Sequence, residues 1–272
     1  KVVLARNYTE AVEIYDKYKE NMLGVISDCR FPITGYTQLN GESEKVADAG
    51  FKLLDYIRSQ DEYVPLIMES AEPENEAISR EKGYMFIDKK SKKISVDLRK
   101  AMEEHMGFGD FLFRDPKTHE VIQRVRSLKE LQDHVFSIPR ESMLYHVSRN
   151  HVSRWLSARA IFPVSAFLKH ITWHKLQDVD AHRQIIFDAI VQYRHMKNIG
   201  TVAVFDRLKF DSYSHFARIG EGSLGGKGRG LAFLDNVIKS KVEFDQFEGV
   251  KVSIPMTVVL CTDIFDRFME EN

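Results

Sequence analysis

The sequence predicts an α/β protein: a parallel sheet at the front, a mostly helical stretch behind it, and the start of a second α/β domain at the end. Three observations carry this expectation. Short apolar runs alternate with helical segments across residues 1–106, the pattern of βαβ units and a parallel sheet. Helical periodicity dominates residues 107–200,. Residues 201–272 return to strand-like runs around a glycine-rich loop that opens into a helix,.

Composition sets the outer bounds. A chain of 272 residues has room for two domains or three,. Hydrophobic residues make up 43%, enough for packed cores, and a net charge of -1 offers no global attraction to nucleic acid or to an acidic membrane,. Cys29 and Cys261 are too few for a disulfide framework, which fits a reducing cytoplasm. No apolar run approaches the ~20 residues that span a bilayer, and no signal peptide is visible. The chain opens on Lys1 rather than Met and ends at Asn272 without a sign of a natural stop. It is therefore expected to be a piece of a longer cytoplasmic protein.

At the front, Val2–Ala5 reads as a strand. Asn7 and Glu10 have the spacing of a capping box, so a helix starts there. Leu23–Ser27 is an apolar strand ending at Asp28, and Ala49–Ile57 is a helix with Phe51, Leu54 and Ile57 on one side. Val64–Met68 is the next strand and Glu74–Lys82 the next helix; Met85–Ile87 and the helix Val96–His105 close the unit. In such sheets ligands sit beyond the carboxyl ends of the strands. Asp28, Ser70 and Lys89 occupy those ends.

These residues carry a resemblance. Asp28-Cys29-Arg30-Phe31-Pro32 is similar to the phosphoacceptor signature of the response-regulator receiver domain, which has a flavodoxin-like sheet. Ser70-Ala71 resembles its switch Ser/Thr-Ala, and Lys89 its lysine at the end of the last strand. The resemblance implies that Asp28 takes a phosphoryl group and binds Mg²⁺, with Ser70 and Lys89 contacting the phosphate. An aspartate nucleophile needs cations around the developing charge, so the residue types suit the chemistry. It also implies a histidine kinase or other phosphodonor as partner. Receivers carry an acidic pair at the end of their first strand. Here the sequence opens at the equivalent of the second strand, so the receiver-like sheet is expected to lack its first strand in this chain.

Residues 107–200 form the expected helical middle domain. Gly107–Arg114 is aromatic-rich, Asp115–Thr118 is a turn, and Glu120–Arg126 returns as a strand, giving a hairpin. Ser127 and Glu130 make a second capping box. Arg140–Arg159 reads as one or two helices, and Pro163–Phe167 and Ala181–Lys197 continue in helices. His170 and His174 stand four apart, a spacing that suits zinc, but HITWH lacks the intervening Glu of HExxH and a third ligand. His146 and His151 with Arg149, Arg154 and Arg159 are expected to form a basic surface for a phosphorylated or acidic partner.

In the last segment Thr201–Phe205 reads as a strand and Asp206–Ala217 as a connector. Six of the fifteen glycines fall between positions 220 and 230, around Lys227. A backbone so free of Cβ atoms turns sharply and brings several N–H groups to one ligand, the form of a phosphate cradle. It is not a Walker loop: Glu221 stands where the first Gly should be, and Gly228 replaces the Ser/Thr,. A helix Gly230–Ser240 follows, then the alternating Val250–Pro255, the apolar Thr257–Leu260, and a helix from Asp263, its expected N-cap.

Leu224-Gly225-Gly226-Lys227, Ile254-Pro255 and Thr262-Asp263-Ile264-Phe265-Asp266-Arg267-Phe268 resemble, in this order, the opening of the nucleotide-binding domain of pyruvate phosphate dikinase and phosphoenolpyruvate synthase. The resemblance implies an ATP-grasp-like fold in which Gly225, Gly226 and Lys227 contact ATP phosphates. Three segments are thus expected: a receiver-like domain over 1–106, a helical domain over 107–200, and a connector with the start of an ATP domain over 201–272. The parent protein is expected to be an ATP-dependent phosphotransferase, with this chain its regulatory portion and inactive alone. The alternative is a non-catalytic receiver-like module for protein interaction.

Overall fold

The structure is a computed structural model and describes residues 2–35, 45–173, 178–197, 202–207, 216–240, 249–250 and 252–271. It is an α/β protein with parallel sheets and, among the described residues, eleven α-helices. The chain divides into two compact units, Lys1–Arg183 and Gln184–Asn272.

The first unit opens with α1 (Tyr8–Tyr18), where the Asn7 carboxamide accepts from the amide of Glu10 at 2.9 Å. Then come β1 (Val25–Asp28), the short antiparallel pair β2 (Phe31–Pro32) and β3 (Lys45–Val46), α2 (Ala49–Gln60), β4 (Leu66–Ser70), α3 (Glu74–Glu81), β5 (Met85–Asp88) and α4 (Ile94–His105). The strands β1, β4 and β5 form a parallel sheet in the order β1-β4-β5.

Both faces of the central strand β4 are covered, which is why its first three residues, Leu66, Ile67 and Met68, are all apolar and buried rather than alternating,. Leu66 and Met68 point to one face with Phe51, Leu54 and Ile57 of α2 and Tyr15 of α1. Ile67 points to the other, with Ile87, Met106 and the apolar side of α4. Burying each such side chain contributes about 1.5–3 kcal/mol.

The expected strand Val2–Ala5 is not one. Val2–Ala5 is irregular, and Val2 and Leu4 are 91% and 76% exposed. Apolar β-formers become a strand when a neighbouring strand takes their backbone hydrogen bonds. Among the described residues none does, and β1 has a partner, β4, on one side alone.

The hairpin follows as β6 (Phe111–Arg114) and β7 (Val121–Val125), antiparallel. Its turn is held by the Asp115 carboxylate, which accepts from the amides of Lys117 and Thr118 at 2.7 and 2.9 Å. Next are α5 (Leu128–His134), capped by Ser127, α6 (Arg140–Ser148), α7 (His151–Ala158) and α8 (Phe162–Lys169). Arg140–Arg159 is thus two helices, broken at Asn150, whose φ is 57°. Trp155, Phe113 and Met143 are buried between them.

The remaining helices are α9 (Val179–Lys197), within which the division into units falls, α10 (Gly225–Ser240) and α11 (Thr262–Glu271). The second unit contains a parallel sheet of β8 (Ala203–Val204), β9 (Phe216–Ile219) and β10 (Thr257–Leu260), in the order β10-β9-β8. Three expectations change here. Phe216 and Ala217 are buried strand residues rather than the end of a connector, most of which lies outside the described residues. The helix begins at Gly225, so the glycines 225–230 lie inside it although glycine is a poor helix former,. Residues 252–255 form no strand.

Candidate functional site

The sheet order places Asp28, Ser70 and Lys89 together. β4 lies between β1 and β5, and the register sets Asp28 beside Glu69 and Ser70 beside Asp88. The amide of Lys89 donates to the Ser70 carbonyl at 2.9 Å, fixing where the lysine leaves the sheet. Its Nζ lies 2.8 Å from Oδ2 of Asp28, with the two side chains 33% and 49% exposed. The carboxylate is therefore accessible, and a cation from the second strand over is already on it.

Ser70 is buried and held. Its Oγ accepts from Asn75 Nδ2 at 2.9 Å and from the Glu72 amide at 3.1 Å. Asn75, itself buried, also donates to Glu72 Oε2 at 3.1 Å and to Cys29 Sγ at 3.4 Å. It thus ties the end of β4 to the residue after Asp28. The Cys29 thiol donates to the Ala47 carbonyl at 3.1 Å. Burial first, then the Glu72 and Asp28 carboxylates, raises its pKa, so it is a structural thiol rather than a nucleophile. Beside the site, Arg30 pairs with Glu72 at 2.9 Å.

Two residues that shape this site carry no signal in the sequence. Asn75 is one polar residue in a polar helix. Gly50 sits in the first turn of α2, where a Cβ would collide with the Asp28 carbonyl oxygen and lie 2.9 Å from Cys29 Cα. The Gly50 amide donates to the Cys29 carbonyl at 2.9 Å. Glycine is what lets α2 pack directly on the backbone that carries Asp28.

Among the described residues no group of three or more His, Cys, Asp or Glu is arranged to hold a metal ion. Mg²⁺ commonly takes one or two carboxylates plus phosphate oxygens and water. The half-exposed Asp28 carboxylate fits that limited demand as a single protein ligand. Of the HITWH pair, His174 lies outside the described residues.

The glycine-rich stretch is two sites rather than one. The amides of Glu221 and Gly222 donate to Oδ2 and Oδ1 of Asp263, each at 2.9 Å, and the Ser223 amide donates to Thr262 Oγ1 at 3.1 Å. The Asp263 carboxylate thus fills the turn as an internal anion, and those hydrogen bonds from Glu221 and Gly222 lower its pKa. It serves this loop rather than capping its own helix, which starts at Thr262. Gly225, Gly226 and Lys227 are different: they form the first turn of α10, Gly226 and Lys227 are exposed, and a Cβ on Gly225 or Gly226 would meet nothing within 4 Å. Room over a helix N-terminus beside a lysine fits a phosphate group.

None of the five residues expected to form a basic surface is fully exposed: Arg149, His151, Arg154 and Arg159 are half-buried. His146 is buried. Arg159 donates to the carbonyls of Gly107 and Gly109 at 2.7 Å each and stacks 4.0 Å over the Trp155 ring. Arg149 stacks on Tyr145 at 4.3 Å, and Arg154 donates to the Tyr63 carbonyl at 2.9 Å. Arg149 and Arg159 are engaged in packing and, for Arg159, in closing carbonyls, and Arg154 makes a single contact of this kind.

No helix among the described residues is long and apolar enough to cross a membrane. No family model, curated protein or solved structure matches the chain.

Proposed function

We propose that the first unit is a receiver-like phosphoacceptor module with Asp28 as the acceptor, and that the second carries the opening of a dikinase-type nucleotide-binding domain with Gly225, Gly226 and Lys227 at the ATP phosphates. The observation that carries the reading is the 2.8 Å approach of Lys89 to Asp28, from a strand that is not its neighbour, at the carboxyl edge of a parallel sheet,.

In this reading an Asp28 carboxylate oxygen attacks the phosphorus of a phosphodonor. The new Asp28 O–P bond forms as the bond from phosphorus to the donor's leaving oxygen or nitrogen breaks, and the leaving group keeps that electron pair. Lys89 is placed to follow the charge as it moves onto the phosphoryl oxygens. The Ser70 hydroxyl contacts them once it turns from the Asn75 contact. Mg²⁺, when bound, supplies further charge neutralisation. The parent protein is then a phosphotransferase that the front unit regulates.

The test is incubation of the whole chain with acetyl phosphate and Mg²⁺, followed by the mass of the intact protein. Wild type gains one phosphoryl group and Asp28→Asn gains none. Equal labelling of both proteins, or none of either, removes the acceptor role. A second reading, a binding module without chemistry, is favoured by one observation: Asp263 already occupies the amides of Glu221 and Gly222.

A further inference from the structure

The first unit contains a cavity of about 970 Å³ that is separate from Asp28. Val64, Pro65 and Leu66 line it at the start of β4, and Met85 at the start of β5. It therefore opens at the amino ends of the strands, whereas Asp28, Ser70 and Lys89 stand at their carboxyl ends. Its other walls come from the hairpin and from α6 and α7, through Phe111, Arg114, His146, His151, Arg154 and Trp155. The volume is at the upper end of the range of small-molecule sites, and the lining is rich in charged groups and histidines.

The polar groups have a defined direction. The Arg114 amide donates to His146 Nε2 at 2.9 Å. A neutral ring that accepts at Nε2 holds its proton on Nδ1. That proton points to His151 Nδ1, 3.0 Å away. His151 then accepts at Nδ1 and holds its own proton on Nε2. The chain of hydrogen bonds runs from the hairpin backbone through two rings and ends in a donor with no partner among the described residues, on a residue that lines the cavity.

Arg154 stands three residues further along α7, on the same helix face,. Among the described residues no carboxylate comes within 4.0 Å of its guanidinium, and its one hydrogen-bond acceptor is the Tyr63 carbonyl. The lining also holds four carboxylates: Asp110 pairs with Arg124 at 3.1 Å, Glu104 lies 3.9 Å from His105, and Glu62 and Glu103 make no ion pair within 4.0 Å among the described residues. A half-buried guanidinium that has Asp61 as a nearby charge but no carboxylate in direct contact, beside a fixed N–H donor, can take an oxyanion.

We propose that this cavity is a ligand site for a small organic oxyanion, a carboxylate or phosphate ester, whose charged group docks on Arg154 and the His151 Nε2–H. The site is independent of the Asp28 reading. It lies where the hairpin and helices meet the underside of the sheet, so an occupant bridges the two.

The test uses the whole chain and two probes, inorganic phosphate and malonate, with long-range ¹H–¹⁵N correlation of the histidine rings. Before addition, His146 is expected as the Nδ1–H tautomer and His151 as the Nε2–H tautomer. Addition of one probe moves the His151 signals saturably while those of His182, whose ring nitrogens face the Asp178 and Trp173 carbonyls, stay still; the probe that binds tells phosphate from carboxylate chemistry. Arg154→Gln weakens that probe about tenfold or more, the scale of one charge-assisted hydrogen bond. His151→Phe, which keeps Arg154 and its Tyr63 contact, weakens it as well, so the proposal does not hang on one variant's folding. No saturable shift with either probe, the opposite tautomers, or unchanged binding in a folded variant overturns it.

Discussion

Lys89 Nζ reaches Asp28 Oδ2 at 2.8 Å across the end of β4, the strand that separates theirs. The pair is half exposed, and an exposed ion pair contributes about 0–1 kcal/mol to stability. Lys89→Ala is therefore expected to change the unfolding free energy by less than about 1 kcal/mol, while labelling of Asp28 by acetyl phosphate falls sharply. Urea unfolding and intact mass measure the two effects. A large stability loss with unchanged labelling would mean that the pair is structural.

Gly50→Ala drives a methyl group into the Asp28 carbonyl. Overpacking of this kind costs about 1–3 kcal/mol. The variant is expected to unfold at lower urea with an unchanged slope, and to shift the amide resonances of Asp28 and Cys29. An unperturbed variant would show that α2 yields easily there.

The buried imidazole pair makes stability depend on pH. His146 has its pKa held down to about 4, first by burial and then by Arg114 and Arg149. His151 is held to about 3, by burial first and then by His146, Arg154, Arg149 and His105. Both lie below the ordinary value of 6.5. As pH falls from that value, the unfolded rings take up protons and the folded ones do not. The contribution is thus complete above 6.5 and is lost as pH falls toward 4 and then 3, by up to about 1.4 kcal/mol per pH unit for each ring. Urea unfolding between pH 7 and 5 measures it, and His151→Gln halves the slope.

Asp263→Ala removes the acceptor of the Glu221 and Gly222 amides. Hydrogen exchange at these two amides is expected to accelerate, with β9 and β10 unaffected. Lowering the pH reproduces the effect in wild type. The lowered Asp263 pKa means that the carboxylate keeps the contacts above its ordinary value of 3.8 and releases them once pH falls through its depressed one,.

Lys227→Ala tests the open half of the loop. With Gly226 and Lys227 exposed in the first turn of α10, the lysine carries no packing, so the variant folds as wild type. Equilibrium binding of ATP to the whole chain is expected to weaken about tenfold, the loss of one charge-assisted contact. Equal affinity would remove Lys227 from the nucleotide reading.

The sequence by itself determined the α/β class, the alternation that makes β1, β4 and β5 parallel, and the caps at Asn7 and Ser127, because these are set by short-range periodicity and local hydrogen bonds. It also singled out Asp28, Ser70 and Lys89, since strand ends are readable from where an apolar run stops. Only the tertiary structure decided that Lys89 sits on Asp28, because that distance depends on strand order. The same holds for Asn75 and Gly50, whose roles exist through neighbours more than twenty residues away in the chain for Gly50 and through the buried contact to Cys29 for Asn75. Val2–Ala5 has the residues of a strand and lacks the partner that would make it one. The glycine stretch looked uniform along the chain, and the return of Asp263 from 41 residues beyond Gly222 split it into a filled turn and an open helix start. His146 and Arg154, read as surface charge from spacing, were turned inward by the packing of the hairpin against α6 and α7, which no local pattern encodes.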